Sequence, residues 1–190
     1  VDVDAGREAQ RRCMESAGVA FCFAIHHHPA AKYAMPVRRA LGFPTIFNLL
    51  GPLTNPAGAG RQIMGVYDDR FVRLVAEAHA QLGTIRALVF HSGDGLECSI
   101  GAPTHVADVK DGMVVEYEIE PSSLGLRHAT VEELQVRDLD HAAKLVIDLL
   151  ERREHGPALD MMLLNAASAI VAADVASSFE EGIERARAIV

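Results

Sequence analysis

The chain has 190 residues, of which 49% are hydrophobic and 5% aromatic, and this length suits one domain with a sizeable core. A formal net charge of -8, without any basic stripe, disfavours binding to nucleic acid, and no apolar run approaches the roughly 20 residues of a membrane span. The three cysteines, an odd number, favour reduced thiols in a cytosolic protein over a disulfide frame or a zinc site.

The N-terminal part of the chain predicts two helices separated by a strand. Residues 4–15 predict a helix, and the apolar run VAFCFAI at residues 19–25 has the size of a buried strand. The next helix is expected to begin at Pro29, because the missing N–H of a proline is unpaired at a first helical position anyway, and to end at Gly42. Pro36 predicts a kink or a restart inside this helix.

A proline-rich segment follows at residues 44–56, PTIFNLLGPLTNP. Its prolines fix the backbone and predict a compact loop, and its asparagines are typical of turns because their side chains satisfy nearby backbone groups. The residues concerned are Pro44, Asn48, Pro52, Asn55 and Pro56.

The middle of the chain predicts a sheet. Residues 62–67 and 86–90 predict strands, and residues 69–82 between them predict an amphipathic helix. A strand, a helix and a strand at this spacing indicate a βαβ unit with parallel strands. Residues 104–109 and 113–119, joined by Lys-Asp-Gly, predict a β-hairpin.

Three helices are expected in the C-terminal part, at residues 140–153, 157–173 and 177–189, and the second is apolar enough to be central to a core. Together these elements predict one α/β domain over residues 1–190. It combines a parallel-rich sheet and flanking helices with the hairpin.

Three consecutive histidines, His26, His27 and His28, precede Pro29. Adjacent side chains point in different directions in any regular structure, whereas a metal needs ligands that converge on one point. The pattern therefore disfavours a metal site.

Two arginines, Arg38 and Arg39, end the helix that precedes the proline-rich segment. An arginine beside a rigid loop can bind an anion through its planar fork of donors. It can equally compensate the negative C-terminal end of the helix dipole. The sequence leaves both interpretations open.

Acidic residues Asp94 and Glu97 follow the strand predicted at residues 86–90. Open α/β sheets place their ligands at the carboxyl ends of strands, and carboxylates there can hold Mg²⁺. The alternative is a plain acidic turn.

Several motifs resemble one family along nearly the whole chain. HHPAAK, PVRRALG, TIFNLLGPLTNP, DGLECS and LLNAASAIV are similar to segments of the anthranilate phosphoribosyltransferases. The resemblance implies a fold like that of the nucleoside phosphorylases and phosphoribosyltransferases. It also implies transfer of a phosphoribosyl group from phosphoribosyl pyrophosphate to anthranilate, in tryptophan biosynthesis in the cytoplasm.

The resemblance also implies roles for particular residues. In similar enzymes the arginine at the position of Arg38 faces anthranilate, and His28 corresponds to a residue that lines the pocket for the aromatic substrate. The family's Mg²⁺ is bound at DGLDE, where this chain has DGLEC. One carboxylate of the adjacent pair is therefore missing, and Glu97, together with Asp94, is the expected metal contact.

The family's GTGGD turn, which cradles phosphate, and its Lys-His-Gly-Asn stretch do not occur in this sequence. The chain is therefore expected to be the second half of the enzyme's α/β domain, inactive alone, while the complete enzyme is expected to form a homodimer.

Two alternatives remain beside the partial enzyme. A non-catalytic binding domain of the same fold is favoured by the missing carboxylate and opposed by the intact HHPA and PVRR stretches. A pyrimidine nucleoside phosphorylase-like enzyme is disfavoured, because FNLLGPLTNP together with PVRR is typical of the branch that acts on an aromatic acid.

Overall fold

A computed structural model of the chain describes residues 2–27, 31–55, 57–96 and 98–190. The chain divides into two compact units, residues 1–59 and 60–190. Within the described ranges, no helix combines the length and the apolar character needed to cross a membrane.

The N-terminal unit is helical. Gly18 and Gly42 adopt left-handed backbone angles, with φ of 72° and 68°, and end the first and third helices because glycine tolerates this conformation. Of the residues before Gly60 whose exposure is described, none is buried. The helices are α1 Arg7–Ala17, α2 Ala24–His27, α3 Ala31–Leu41 and α4 Phe47–Leu53.

Three expectations for this unit were wrong or incomplete. The strand expected at residues 19–25 is absent: residues 19–23 have no regular structure, and α2 follows them. A strand needs a neighbour for its backbone hydrogen bonds, and no described residue before Gly60 lies in a strand. Of the kink or restart expected at Pro36, the restart is absent, because helix α3 continues through this residue. The compact loop expected at residues 44–56 contains helix α4. The expected start at Pro29 lies outside the described residues.

The C-terminal unit contains a mixed sheet. In the described part of the chain its strand order is β1-β2-β3-β4, with β1 and β2 parallel and the other two pairs antiparallel. The strands are β1 Arg61–Gly65, β2 Arg86–Ser92, β3 Thr104–Lys110 and β4 Met113–Ile119, and α5 Val72–Gln81 connects the first two.

The predicted α/β class, the βαβ unit and the hairpin are confirmed, but the sheet is mixed rather than parallel-rich. Among the described strands, β1 and β2 alone are joined by a helical crossover, the connection that parallel strands require. The hairpin turns at Asp111 and Gly112, with φ of 52° and 77°. Positive φ at both central residues is typical of the type I′ turn that joins hairpin strands.

Four more helices complete this unit, and the sheet lies between two helical layers. Helix α5 packs on β2, β3 and β4, whereas α8 packs on β1, β2 and α9. The buried side chains of β2 and α8 meet in the core, as predicted for the apolar helix, through Leu88, Phe90, Leu164, Ala167 and Val171. These helices are α6 Val131–Leu134, α7 Leu139–Leu150, α8 Pro157–Ala172 and α9 Phe179–Ile189.

Asp174, which follows α8, joins the ends of three strands. Its carboxylate accepts hydrogen bonds from Arg86 of β2 at 2.6 Å and Lys110 of β3 at 2.8 Å, and also from Arg61 of β1. Asp174 itself has a φ of 57°, a left-handed angle that asparagine and aspartate adopt more readily than most residues.

The central cation of this group, Arg86, is buried. It donates two hydrogen bonds to the Asp108 carboxylate, at 3.2 and 2.7 Å, and one to the Val171 carbonyl at 2.7 Å. Removing one partner of a buried ion pair leaves a charge uncompensated, so such a network tolerates little change.

The Asp174 network predicts a dependence of stability on pH. Hydrogen bonds from Lys110, Arg61 and Arg86 hold the pKa of Asp174 below its ordinary value. This contribution is therefore present above about pH 4, the pKa of the unfolded carboxyl group, and is lost as the pH falls toward the folded value. The free energy of unfolding, measured with urea between pH 6 and 3, should fall more steeply for the parent than for Asp174→Asn. Parallel curves for the two proteins would contradict this assignment.

Candidate functional site

Arg38 lies in the last turn of α3 and connects it to α4. Its guanidinium donates a hydrogen bond to Asn48 Oδ1 at 3.2 Å and lies 5.7 Å from the centre of the Phe47 ring, a distance at which a cation–π contact forms. The side chain is half-buried, whereas the neighbouring Arg39 is exposed. The two neighbouring arginines therefore differ in their surroundings.

Asn48 links the end of α3 to the segment before α4. The same Oδ1 atom that binds Arg38 accepts a hydrogen bond from the Thr45 N–H at 2.9 Å, and Asn55 accepts one from Ala57 N–H at 2.9 Å. The predicted role of these asparagines in satisfying the local backbone is confirmed.

The Arg38 guanidinium has donors to spare for an anion. A guanidinium carries five N–H donors in a planar fork. Among the contacts recorded for the described residues, one donor is used by Asn48 and another makes only a weak contact with Met35 Sδ at 3.9 Å. The arrangement can therefore bind a carboxylate.

The two described histidines of the HHH run have separate partners. His26 Nε2 lies 2.8 Å from Asp4 Oδ1, and His27 Nε2 lies 3.2 Å from the Gln10 amide. His28 lies outside the described residues, so its expected place at the aromatic substrate stays a prediction.

Asp94 lies in the loop after β2 and organises that loop. Its Oδ1 accepts a hydrogen bond from the Leu96 N–H at 3.1 Å, and its Oδ2 accepts one from Ser99 Oγ at 2.5 Å. Ser99 Oγ in turn accepts a hydrogen bond from the Gly101 N–H at 3.0 Å. A Cβ at Gly101 would lie 2.7 Å from the main-chain carbonyl oxygen of Ala129 and 2.6 Å from Asp94 Oδ2, so this position requires glycine.

Asn165 of α8 also fixes this loop, a role that the sequence did not predict. Its amide donates hydrogen bonds to the Cys98 carbonyl at 3.0 Å and the Met161 carbonyl at 2.9 Å. The buried Ser168 hydroxyl lies 3.7 Å from Cys98 Sγ. The one available signal was a single asparagine within a strongly apolar helix, because a polar group there needs a partner.

The described part of the loop contains Asp94, one of the two carboxylates expected to contact Mg²⁺. Within the described ranges, no three His, Cys, Asp or Glu side chains are grouped so that they could hold an ion. Both oxygens of Asp94 already accept hydrogen bonds within the loop, and Glu97 lies outside the described residues. The assignment of Mg²⁺ to these two residues stays a prediction.

A cavity of about 370 Å³ in the C-terminal unit lies between the hairpin and the start of α9. Asp94, the predicted site residue that is described in this unit, does not line it. The buried cation of the cavity, Arg86, is already bound to Asp108 and Asp174. The lining of the cavity includes Asp108, Tyr117, Glu118, Glu120 and Phe179.

Comparison with known proteins assigns the chain to a family. The family described as "Glycosyl transferase family, a/b domain" matches residues 1–190, and the chain belongs to this family. Its curated relatives are anthranilate phosphoribosyltransferases, which confirms the resemblance noted in the sequence. The Methylococcus capsulatus enzyme is 45% identical over 191 residues, which cover 100% of this chain and 56% of the relative.

Solved structures of anthranilate phosphoribosyltransferases also match this chain. The crystal structure of anthranilate phosphoribosyltransferase from Thermus thermophilus matches with a TM-score of 0.90 and 38% identity, over 100% of this chain and 56% of that one. The Saccharomyces cerevisiae enzyme in complex with PRPP and Mg matches with a TM-score of 0.74 and 26% identity, over 84% of this chain and 46% of that one. The chain thus spans about half the length of its relatives.

The contact from Asn165 to Cys98 predicts a loss of stability on substitution. Asn165→Leu keeps a side chain of similar size but leaves the Cys98 carbonyl without this donor, so the free energy of unfolding should fall by about 1–3 kcal/mol. Ser168→Ala, on the same helix, removes only a weak contact to sulfur and a bond to its own helix and should cost less. Urea denaturation measures both, and equal stability of Asn165→Leu and the parent would contradict the role given to Asn165.

Proposed function

We propose that the chain is the anthranilate-binding part of an anthranilate phosphoribosyltransferase. The observation that carries the proposal is Arg38, anchored by Asn48 and half-buried, with donors available for a carboxylate. Anthranilate has a carboxylate on an aromatic ring, which matches a planar donor fork beside the Phe47 ring. Similarity to relatives of that name along the whole chain supports the proposal.

The proposed reaction is attack of the anthranilate amine on the anomeric carbon of phosphoribosyl pyrophosphate. A bond from nitrogen to carbon forms, the bond to pyrophosphate breaks, and the amine loses a proton. Catalysis of this kind depends on holding two reactants in the right geometry. In the proposal Arg38 fixes the carboxylate and thereby orients the amine, and His28 lines the same pocket.

The other substrate requires groups from elsewhere in a complete enzyme. The sequence has no GTGGD turn to cradle phosphate, and the chain spans 56% of the Methylococcus capsulatus relative. The proposal therefore assigns binding of phosphoribosyl pyrophosphate mainly to polypeptide beyond this match. The complete enzyme in this proposal is a cytoplasmic homodimer.

Mg²⁺ belongs to the proposal as a companion of the pyrophosphate, since a relative was solved with PRPP and Mg. When bound, the ion would neutralise charge on the departing pyrophosphate. Glu97 and Asp94 are the residues of this chain proposed to contact the ion, together with groups from outside it. The Asp94 carboxylate also accepts hydrogen bonds within its loop.

A second candidate is a binding domain that has lost catalysis. The DGLEC sequence and the engaged Asp94 carboxylate favour it, because both reduce the groups available to a metal. This candidate binds anthranilate without turning it over.

The deciding experiment follows anthranilate fluorescence while phosphoribosyl pyrophosphate and Mg²⁺ are added. The chain is assayed alone and then with a polypeptide equivalent to the part of the relatives that it does not match. Loss of the anthranilate signal only in the second assay is the expected result. Binding without consumption in both assays would favour the non-catalytic domain, and absence of any binding would contradict both candidates.

The role of Arg38 predicts a specific loss of affinity. Arg38→Ala should weaken anthranilate binding by roughly 1.5–3 kcal/mol, about ten- to a hundredfold, since it removes hydrogen bonds to a charged group. Arg39→Ala removes an equal charge from an exposed position and serves as the control, with unchanged affinity. A fluorescence titration measures both, and equal affinities of the two variants would remove Arg38 from the site.

A further inference from the structure

Helix α7 presents three faces of different character. Polar residues Asp140, Lys144 and Asp148 follow one another at intervals of four residues, so they share one face. On a second face Leu149 is buried and Leu145 is half-buried. These two faces alone would make an ordinary amphipathic surface helix.

The third face of α7 is apolar and exposed. Its side chains recur at intervals of three and four residues and therefore form one stripe along the helix. Of its residues, Leu139 is 87%, Val146 55%, Ile147 49% and Leu150 65% exposed. This stripe, the α7 face, consists of Leu139, Ala143, Val146, Ile147 and Leu150.

The α7 face differs from isolated exposed leucines elsewhere. Leu74 and Leu82 of the α5 region are 56% and 63% exposed, but the charged Arg73 and Glu77 lie beside Leu74. Single apolar residues of this kind are normal on a protein surface, whereas a contiguous apolar patch marks an interaction site. A helix with apolar residues on two faces is usually covered on both.

The length of the relatives shows that further polypeptide exists that could cover this face. The chain accounts for 56% of the Methylococcus capsulatus relative and 56% of the Thermus thermophilus chain, so those proteins contain substantial further polypeptide. A second copy of this chain is a poorer occupant, because each copy carries a net charge of -8 and like charges oppose association at low salt.

We propose that the α7 face is the docking surface for the polypeptide equivalent to the unmatched part of these relatives, whether carried on the same chain or on a separate one. Burial of a stripe of leucine, valine and isoleucine side chains drives this association. The inference rests on the proposed function, since it names the surface through which the anthranilate-binding part joins the part that holds the other substrate.

The test measures association, not activity. The 190-residue chain is titrated with the unmatched segment of the Methylococcus capsulatus relative, and binding is followed by sedimentation velocity and calorimetry. The double variant Val146→Lys and Leu150→Lys should bind at least tenfold more weakly. The matched control, Leu74→Lys and Leu82→Lys, adds the same charge at positions of similar exposure and should bind like the parent.

Each outcome decides the proposal. Equal binding by the α7 variant and the parent overturns it, and so does an equal loss in the control, because the effect would then come from charge alone. Concentration-dependent self-association of the parent that the α7 variant abolishes would assign the face to a second copy instead. Circular dichroism checks folding, and Leu139→Lys, at the most exposed position of the face, is a second variant with the same expected direction.

The proposed function can fail separately. If the unaltered chain does not bind the segment, both the complementing-part proposal and this inference are contradicted. Binding that the α7 substitutions leave intact contradicts only the docking surface.

Discussion

The C-terminal unit depends on one buried ion-pair group, in which Asp174 and Asp108 neutralise Arg86 at the ends of the strands. Because Asp174 also binds Arg61 and Lys110, one carboxylate after α8 fixes β1, β2 and β3 against that helix. The register of the sheet and the position of α8 are thereby coupled. The loop after β2, which α8 holds in place, therefore also depends on this ion-pair group.

Contacts with α8 and within the loop fix the backbone of the loop after β2, which contains two of the predicted site residues. Asn165, two turns before the end of α8, binds the Cys98 carbonyl, and Asp94 and Ser99 close the loop from within. The residues on both sides of position 97 are therefore held by the core. Arg38 is positioned differently, by the local contact with Asn48, in a unit whose described residues include no buried side chain.

Much of the C-terminal unit could be predicted from the sequence, because its signals are local. The Asp-Gly turn specifies the hairpin, and the apolar run at Pro157–Ala172 specifies a core helix. The structure of residues 19–25 could not be predicted correctly. Their apolar composition suits a strand, but a strand also needs a neighbouring strand, and composition does not reveal whether one is present. Helix α4 was hidden by Pro52, although a proline in so short a helix removes only one backbone hydrogen bond. The contact from Asn165 joins residues far apart in the chain, so no spacing rule indicates it.

The Asn165 contact also separates the shape of the loop from its chemistry. Asn165 binds a main-chain carbonyl, and that acceptor exists at position 98 whichever side chain stands there. A substitution at position 98 therefore changes a side chain of the loop without removing the bond that holds its backbone. Helix α8 sets the path of the main chain here, whereas the charge of the loop depends on its side chains alone.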